Sequence, residues 1–186
     1  MEKQIIMLVQ ATPKTQPGGV QGAWFKFVYH SVCGPLFINQ LPMARPPKLI
    51  IKNKRVVPLL ASVYTSNPRG TIKAEYINYQ LPFSSGNMYS TTSDLMTFTK
   101  ALMSSQLISP EKTKEIFWGG KYYGYGWGIR KFNGTKAYGH YGGMNGFVGA
   151  ITYIPKNDYF VCILTNDDNT PKVRITRALV DIINGK

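Results

Sequence analysis

The chain has 186 residues, of which 44% are hydrophobic, a length and composition typical of one globular domain with a buried core. Its 22 Lys and Arg residues against nine acids give a formal net charge of +13, which favours encounter with anionic partners without specifying one. The longest apolar run, Phe160 to Leu164, is far shorter than the ~20 residues of a membrane helix, and residues 1–9 are too short for a convincing signal peptide, so we expect no membrane span and identify no export signal.

The first third, residues 1–69, is basic and rich in proline. It holds nine of the basic residues and a single acid, Glu2, and eight prolines interrupt every candidate element. Short apolar pieces at Trp24–Tyr29 and Leu49–Ile51 are compatible with strands, but nothing specifies their partners. We therefore predict an irregular region without an assigned fold.

Two helices are predicted after Gly70. Thr91 and Asp94 form a capping-box-like start to a helix that continues to about Met103. Ser109 and Pro110 open a shorter second helix, because serine is a good N-cap and proline suits the first helical position. The apolar residues on the inner faces of these helices are Leu95, Phe98, Leu102, Ile116 and Phe117.

An antiparallel sheet is predicted next. Tyr125, Trp127 and Ile129 alternate with smaller or polar residues, and Asn133-Gly134 is a strong hairpin signal. The returning strand carries His140. Phe147–Ile154 continues as a strand, and after a turn at Pro155–Asp158 the last strand is Tyr159–Thr165, which is apolar on both faces and therefore expected to be central.

A third helix closes the chain after Thr170-Pro171. We expect one face to point inward and the basic face to remain in water. The inward residues are Ile175, Leu179, Ile182 and Ile183, and the solvated ones are Lys172, Arg174 and Arg177. The predicted order is helix, helix, three antiparallel strands, helix, an α+β fold with an antiparallel sheet flanked by helices.

The run from Tyr138 to Phe147 places one of the two histidines among several glycines. Glycine weakens a strand and often marks a bulge or a place where a ligand approaches the backbone. One interpretation is a reactive cleft beside His140. The other is a hydrogen-bonded strand histidine with glycines that allow close packing, and this segment alone does not decide between them.

Cysteine and histidine do not indicate a metal centre. Only His30-Ser31-Val32-Cys33 has local ligand spacing, and Cys162 lies in an apolar strand typical of a buried small residue. We expect no metal and no cofactor.

Several motifs occur in order between residues 70 and 186. They are Ser85-Gly86-Asn87-Met88-Tyr89-Ser90-Thr91-Thr92-Ser93-Asp94-Leu95, Leu107-Ile108-Ser109-Pro110-Glu111, Tyr123-Gly124-Tyr125-Gly126-Trp127-Gly128, His140-Tyr141-Gly142-Gly143-Met144-Asn145-Gly146-Phe147 and Leu164-Thr165-Asn166. In this order they resemble the serine β-lactamase-like hydrolases, which include class C β-lactamases, D,D-peptidases and related esterases. The resemblance implies a partial β-lactamase/transpeptidase-like fold, in which residues 70–186 form the C-terminal part of a catalytic domain.

The resemblance also implies roles for individual residues. In that family a Lys-Thr-Gly or His-x-Gly triplet on a strand faces a Ser-x-x-Lys nucleophile, and His140-Tyr141-Gly142 is similar to this triplet. By this likeness His140 supports the reacting group, and the Gly143 N–H is an oxyanion-hole donor. Tyr141, Gly142 and Asn145 would contact the substrate, a small acyl compound such as a β-lactam, a peptide or an ester.

The Ser-x-x-Lys nucleophile has no convincing counterpart. The one such string, Ser109-Pro110-Glu111-Lys112, is explained by a helix cap and follows the site where the family motif belongs. Tyr76-Ile77-Asn78 matches a Tyr-x-Asn string but lies too close to Ser85, and Tyr29-His30-Ser31 is weaker. We expect a truncated or partly frame-disrupted chain that is inactive alone and self-associates through an uncovered sheet edge.

Two other function classes stay open. The charge and the many tyrosines suit a nonenzymatic basic module that binds nucleic acid or other polyanions, although no recognition motif supports a specific nucleic acid. A noncatalytic relative that binds peptidoglycan-like or acyl ligands is a third reading. The family resemblance implies an extracytoplasmic or periplasmic location.

Overall fold

A computed structural model describes residues 6–10, 25–27, 48–49, 62–75, 88–118 and 121–185. The Tyr-x-Asn string at 76–78, the string at 29–31, Cys33 and the Ser85-Gly86 motif start lie outside the described residues. In chain order the elements are β1 (Ile6–Gln10), β2 (Phe25–Phe27), β3 (Lys48–Leu49), β4 (Tyr64–Asn67), β5 (Gly70–Lys73), β6 (Met88–Ser90), α1 (Thr92–Met103), α2 (Pro110–Trp118), β7 (Gly128–Phe132), β8 (Thr135–Met144), β9 (Phe147–Ile154), β10 (Tyr159–Thr165) and α3 (Lys172–Ile183).

The main sheet has five strands in the order β1-β10-β9-β8-β7. The four strands from β7 to β10 are antiparallel, one more than the three counted from the sequence, and β1 pairs in parallel with β10. The α+β prediction is confirmed, and β10 is an interior strand as expected. Strand β1 belongs to the first third, where local patterns had not assigned it, because its only described pairing is with β10, far along the chain.

The hairpin between β7 and β8 turns at Asn133 and Gly134, whose φ angles are 47° and 84°. Positive φ at both positions is the requirement of a type I′ turn, which Asn-Gly favours, so the predicted hairpin is present. Strand β7 is shorter than expected, since it begins at Gly128 and excludes Tyr125. Gly126 has a φ of 79° and turns the chain before the strand, so Tyr125 is 54% exposed.

Helices α1 and α2 cover one face of the sheet. The Thr91 side chain accepts from Asp94 N (3.1 Å), and Lys112 N donates to Ser109 Oγ (3.4 Å), so both predicted N-caps are present. Phe117 packs on Trp127, with ring centroids 5.3 Å apart. The buried cluster on this face contains Leu95, Phe98, Leu102, Ile116, Phe117, Trp127, Tyr138, Ile151, Phe160, Cys162 and Leu164.

Helix α3 covers the opposite face through a second cluster of Phe132, Ala137, Ile154, Val161 and Val180. Its inward face is rotated from the predicted one. Thr176 and Val180 are fully buried, whereas Ile182, expected to point inward, is 65% exposed because it lies about 200° around the helix from Val180. Lys172, expected to be solvated, is half-buried.

The β4–β5 hairpin packs against the loop that follows β10. Asn166 Nδ2 donates to Ser62 O (2.8 Å), and Tyr64 N donates to Asn166 O (2.9 Å). Asn166, the end of the last motif, therefore attaches this hairpin to the sheet. No helix among the described residues is long and apolar enough to cross a membrane.

Candidate active site on strand β8

The amide of Gly143 points toward the β7 side of strand β8. Ile129 N donates to Tyr122 O (2.8 Å), on the side of β7 that faces away from β8. Because successive N–H groups along a strand alternate sides, Gly128 faces its partner Gly139 on β8, and Gly139 faces back. The same alternation directs the Gly143 N–H toward the β7 side and the Gly142 carbonyl toward β9.

Beyond Gly139, that side of β8 has no strand partner in the part of the chain that the structure describes. Strand β7 begins at Gly128, opposite Gly139, and within the described ranges no strand pairs with this side of β8 from His140 to Met144. On its other side β8 stays paired with β9 as far as Met144 and Phe147. The Gly143 N–H is therefore aimed at a stretch of sheet edge that a ligand oxygen can approach.

His140 projects from the α1–α2 face of β8 and is 6% exposed. Its Nδ1 lies 2.8 Å from Gly126 O and 3.3 Å from Tyr123 Oη. A carbonyl oxygen only accepts, so Nδ1 carries a proton, and in the neutral ring Nε2 is the acceptor nitrogen. The segment before β7 thus determines the tautomer of the candidate catalytic imidazole.

The local sequence around His140 does not predict its two partners, Tyr123 and Gly126. Tyr123 and Gly126 belong to a motif that was recognised, but its contact with His140 depends on the turn at Gly126. The only local signal for that turn was the repeated glycine, which had been assigned to a continuous strand.

Tyr141 and Asn145 do not lie beside the imidazole. The Tyr141 ring is on the opposite face of β8, with the Arg130 guanidinium carbon 4.0 Å from its centroid, and its buried hydroxyl has no hydrogen-bond partner among the described residues. Asn145 is exposed in the β8–β9 turn. Of the predicted site residues, the structure brings His140, Gly142 and Gly143 to one stretch of strand.

The positions around His140 are occupied by glycine for different structural reasons. A Cβ on Gly139 would lie 2.4 Å from Ile151 O, and one on Gly146, whose φ is 74°, would lie 2.3 Å from Val63 Cβ. These two glycines are required by packing. A Cβ on Gly143 would lie 3.3 Å from Lys172 Nζ, with Phe147 O at 3.7 Å and Val148 Cγ2 at 4.0 Å as the next neighbours, so no backbone atom clashes there as it does at Gly139.

Lys172, the first residue of α3, reaches this strand. Its Nζ donates to Gly142 O (2.9 Å), and burial lowers the pKa of the ammonium group. The sequence carried no signal for this contact beyond a basic residue after Thr170-Pro171. The contact forms because α3 packs over the sheet.

The Ser109–Lys112 string is the start of α2. Lys112 Nζ donates to the Glu115 carboxylate at 2.9 and 3.1 Å, and Ser109 caps the helix and helps to lower the pKa of Glu111. These contacts are those of a solvated helix, as the sequence indicated. The described part of the chain also contains no group of three or more His, Cys, Asp and Glu residues able to hold a metal ion.

Comparisons with solved structures show the same fold in several proteins. D-amino acid amidase from Ochrobactrum anthropi SV3 is 15% identical, with a TM-score of 0.62 over 73% of this chain and 48% of its own. The octameric penicillin-binding protein homologue from Pyrococcus abyssi is 23% identical, with a TM-score of 0.63 over 83% and 36%. D-stereospecific amidohydrolase from a Streptomyces species is 19% identical, with a TM-score of 0.57 over 74% and 42%.

The chain spans about half or less of the length of these structures. Among curated proteins no sequence match is found. The family model described as Beta-lactamase matches residues 40–184, which include the His140 strand and helices α1, α2 and α3. The chain therefore belongs to the Beta-lactamase family.

Proposed function

We propose that this chain provides the His-x-Gly wall of an acyl-transfer site, in which the Gly143 N–H stabilises an oxyanion and His140 supports the reacting group. The observation that carries the proposal is the direction of the Gly143 amide toward the side of β8 that, beyond Gly139, no strand of the described residues pairs with. Acyl transfer develops negative charge on the carbonyl oxygen, and a preoriented N–H donor stabilises that charge.

His140 suits the second role because its tautomer is determined by the Gly126 carbonyl. An imidazole with Nδ1 protonated has Nε2 as the nitrogen that accepts or transfers a proton. The ring is buried, so its orientation is held by packing as well as by hydrogen bonds.

The serine nucleophile of the proposed site does not come from the described residues of this chain. Ser109 and Lys112, the one Ser-x-x-Lys string, have structural roles at the start of α2. Acyl transfer by a serine requires a base beside the hydroxyl. We therefore propose that the isolated chain is catalytically inactive and that a Ser-x-x-Lys helix from outside this sequence would complete the site.

The proposed ligands are small acyl compounds, namely β-lactams, D-amino acid amides or peptides, and esters. Acyl transfer from each of these compounds passes through a tetrahedral intermediate that carries an oxyanion. The structural neighbours include a D-amino acid amidase that was solved with D-phenylalanine. D-Phenylalanine is a suitable probe because its carboxylate can accept a hydrogen bond from the Gly143 N–H.

The test combines turnover and binding. Purified chain is incubated with a p-nitrophenyl ester, a chromogenic cephalosporin and D-phenylalanine amide, and we expect hydrolysis no faster than in buffer. D-Phenylalanine is then titrated against ¹⁵N-labelled protein, and we expect the Gly143 amide resonance to shift. Rapid turnover would contradict the inactive state, and an unmoved Gly143 resonance would contradict the donor role.

A matched pair of variants isolates the N–H group. Gly143→Pro and Gly143→Ala both add carbon at an exposed position, but only proline removes the donor. Since a hydrogen bond to a charged group contributes about 1.5–3 kcal/mol, Gly143→Pro should weaken D-phenylalanine binding roughly ten- to hundredfold relative to Gly143→Ala. Equal affinities in two folded variants would overturn the assignment.

One observation favours the polyanion-binding alternative. An open groove of about 490 Å³ at the start of α3 is lined by Thr170, Pro171, Lys172, Val173, Arg174 and Arg177. Oligonucleotide affinity that falls steeply with salt and is lost in Arg174→Gln/Arg177→Gln would favour this function. Weak binding that is unchanged by those substitutions would count against it.

A further inference from the structure

Lys172 lies against one particular peptide unit of β8. Its Nζ donates to Gly142 O at 2.9 Å, and a Cβ on Gly143 would lie 3.3 Å from the same Nζ. The ammonium group therefore approaches the Gly142–Gly143 peptide from the α3 face of the sheet. A larger residue at position 143 would press against it.

The two ends of this peptide unit are physically linked. The Gly142 carbonyl and the Gly143 N–H belong to the same planar group, and no cis peptide bond occurs among the described residues. In a trans peptide the carbonyl and the N–H point in opposite directions. A donor on the carbonyl thus helps to orient the N–H, and a charged donor also polarises it.

We propose that Lys172 is a positioning residue that orients and polarises the Gly142–Gly143 peptide, which makes the Gly143 N–H a stronger donor toward an anionic oxygen. The effect of Lys172 on the Gly142–Gly143 peptide does not depend on the proposed function, whereas its consequence for acyl transfer rests on that function. Lys172 differs from an oxyanion donor because it acts through the peptide and touches no reacting atom.

No carboxylate of the described residues neutralises the positive charge of the Lys172 ammonium group. Arg174 and Arg177 are exposed and line the groove that Lys172 also borders. In the loop before α3, Asp167 accepts from Ser66 Oγ and Asp168 accepts from Gly146 N. Within the described residues no carboxylate forms a salt bridge with Lys172, consistent with a pKa lowered by burial alone.

The sequence offers a direct spectroscopic test. Only three Gly–Gly peptides occur in it, at 18–19, 119–120 and 142–143. Protein labelled with ¹³C′ and ¹⁵N only in glycine gives one carbonyl–amide correlation for each, and a Gly143→Ala variant identifies the third. The experiment needs neither ligand nor turnover. The role of Lys172 can therefore be refuted while the proposed function stands, and the proposed function can be refuted while the role of Lys172 stands.

Three substitutions of Lys172 separate the possible causes. Lys172→Met removes the donor, Lys172→Gln keeps a neutral donor, and Lys172→Arg keeps a charged one. We expect the 142–143 peak to move upfield in both dimensions with methionine, to move less with glutamine and to stay near its place with arginine, while the other two peaks are unchanged. If the methionine variant does not fold, the glutamine and arginine variants decide by the same comparison.

Arg174→Met is the matched control, since it removes a positive charge from the same helix at an exposed residue. It should leave the 142–143 peak in place. The proposal is overturned if that peak is unmoved by loss of the Lys172 ammonium in a folded variant, or if Arg174→Met moves it equally.

Discussion

Replacing Gly139 by alanine should destabilise the sheet beside the candidate site. A Cβ at this position would lie 2.4 Å from the backbone oxygen of Ile151 on the neighbouring strand β9. A backbone oxygen in a paired strand cannot rotate away as a side chain can, so the two strands must separate locally. His140 is the next residue, and its ring would move with the strand.

The expected size follows from the type of contact. Overpacking of an ordered region typically destabilises by about 1–3 kcal/mol. For a chain of 150–250 residues each kcal/mol shifts Tm by roughly 2–4 °C, so Gly139→Ala should lower Tm by roughly 2–12 °C. Thermal unfolding followed by circular dichroism measures this directly.

Gly143→Ala is the control on the same strand. Its Cβ would lie 3.3 Å from the end of the Lys172 side chain, which can give way, and the next neighbours, Phe147 O at 3.7 Å and Val148 Cγ2 at 4.0 Å, are at ordinary contact distances. We therefore expect a Tm within a degree or two of the original chain, since a change below about 0.5 kcal/mol is typical of sites without a packing conflict. If the two alanine variants have equal Tm values, the packing explanation of Gly139 is wrong.

Three further predictions concern a helix cap, the imidazole and alkaline stability. Thr91→Ala should lower the free energy of unfolding by about 1 kcal/mol through loss of the α1 N-cap, whereas the exposed neighbour Ser93→Ala should have little effect, and urea unfolding compares them. In a His30→Gln background, ¹⁵N NMR of the single imidazole should show Nδ1 of His140 protonated at neutral pH, and a bare Nδ1 would refute the assigned hydrogen bond. Burial and then the Asp158 hydrogen bond raise the pKa of Tyr153 from 10.0 to about 12, so stability present below pH 10 is lost as pH rises toward 12, and Tyr153→Phe should lose less stability over that interval in urea unfolding.

Much of the secondary structure was predictable because its causes are local. The caps at Thr91 and Ser109 and the Asn133-Gly134 turn depend on side chains within a few residues of each other. The strands β9 and β10 were recognised from their apolar character and from the turn at 155–158. The family resemblance was carried by the same local motifs, and the match over residues 40–184 bears it out.

The errors occurred where a distant partner decided the outcome. Tyr125 was assigned to a strand that begins only at Gly128, because the turn at Gly126 brings the preceding segment to His140. Ile182 was assigned to the core although Thr176 and Val180 are the residues that α3 buries fully. A hydrophobic pattern gives the approximate face of a helix, but the sheet beneath it determines the rotation.

The amino-acid sequence by itself determined the helix starts, the hairpin turn, the strand-forming segments and the His140-Tyr141-Gly142 triplet, since each depends on neighbouring residues. Tertiary structure alone decided that β1 joins β10, that Gly139 is a packing residue while Gly143 has an aimed amide, and that Lys172 binds the Gly142 carbonyl. The physical reason is that these contacts join segments far apart in the chain, and their geometry exists only when helices and strands have packed together.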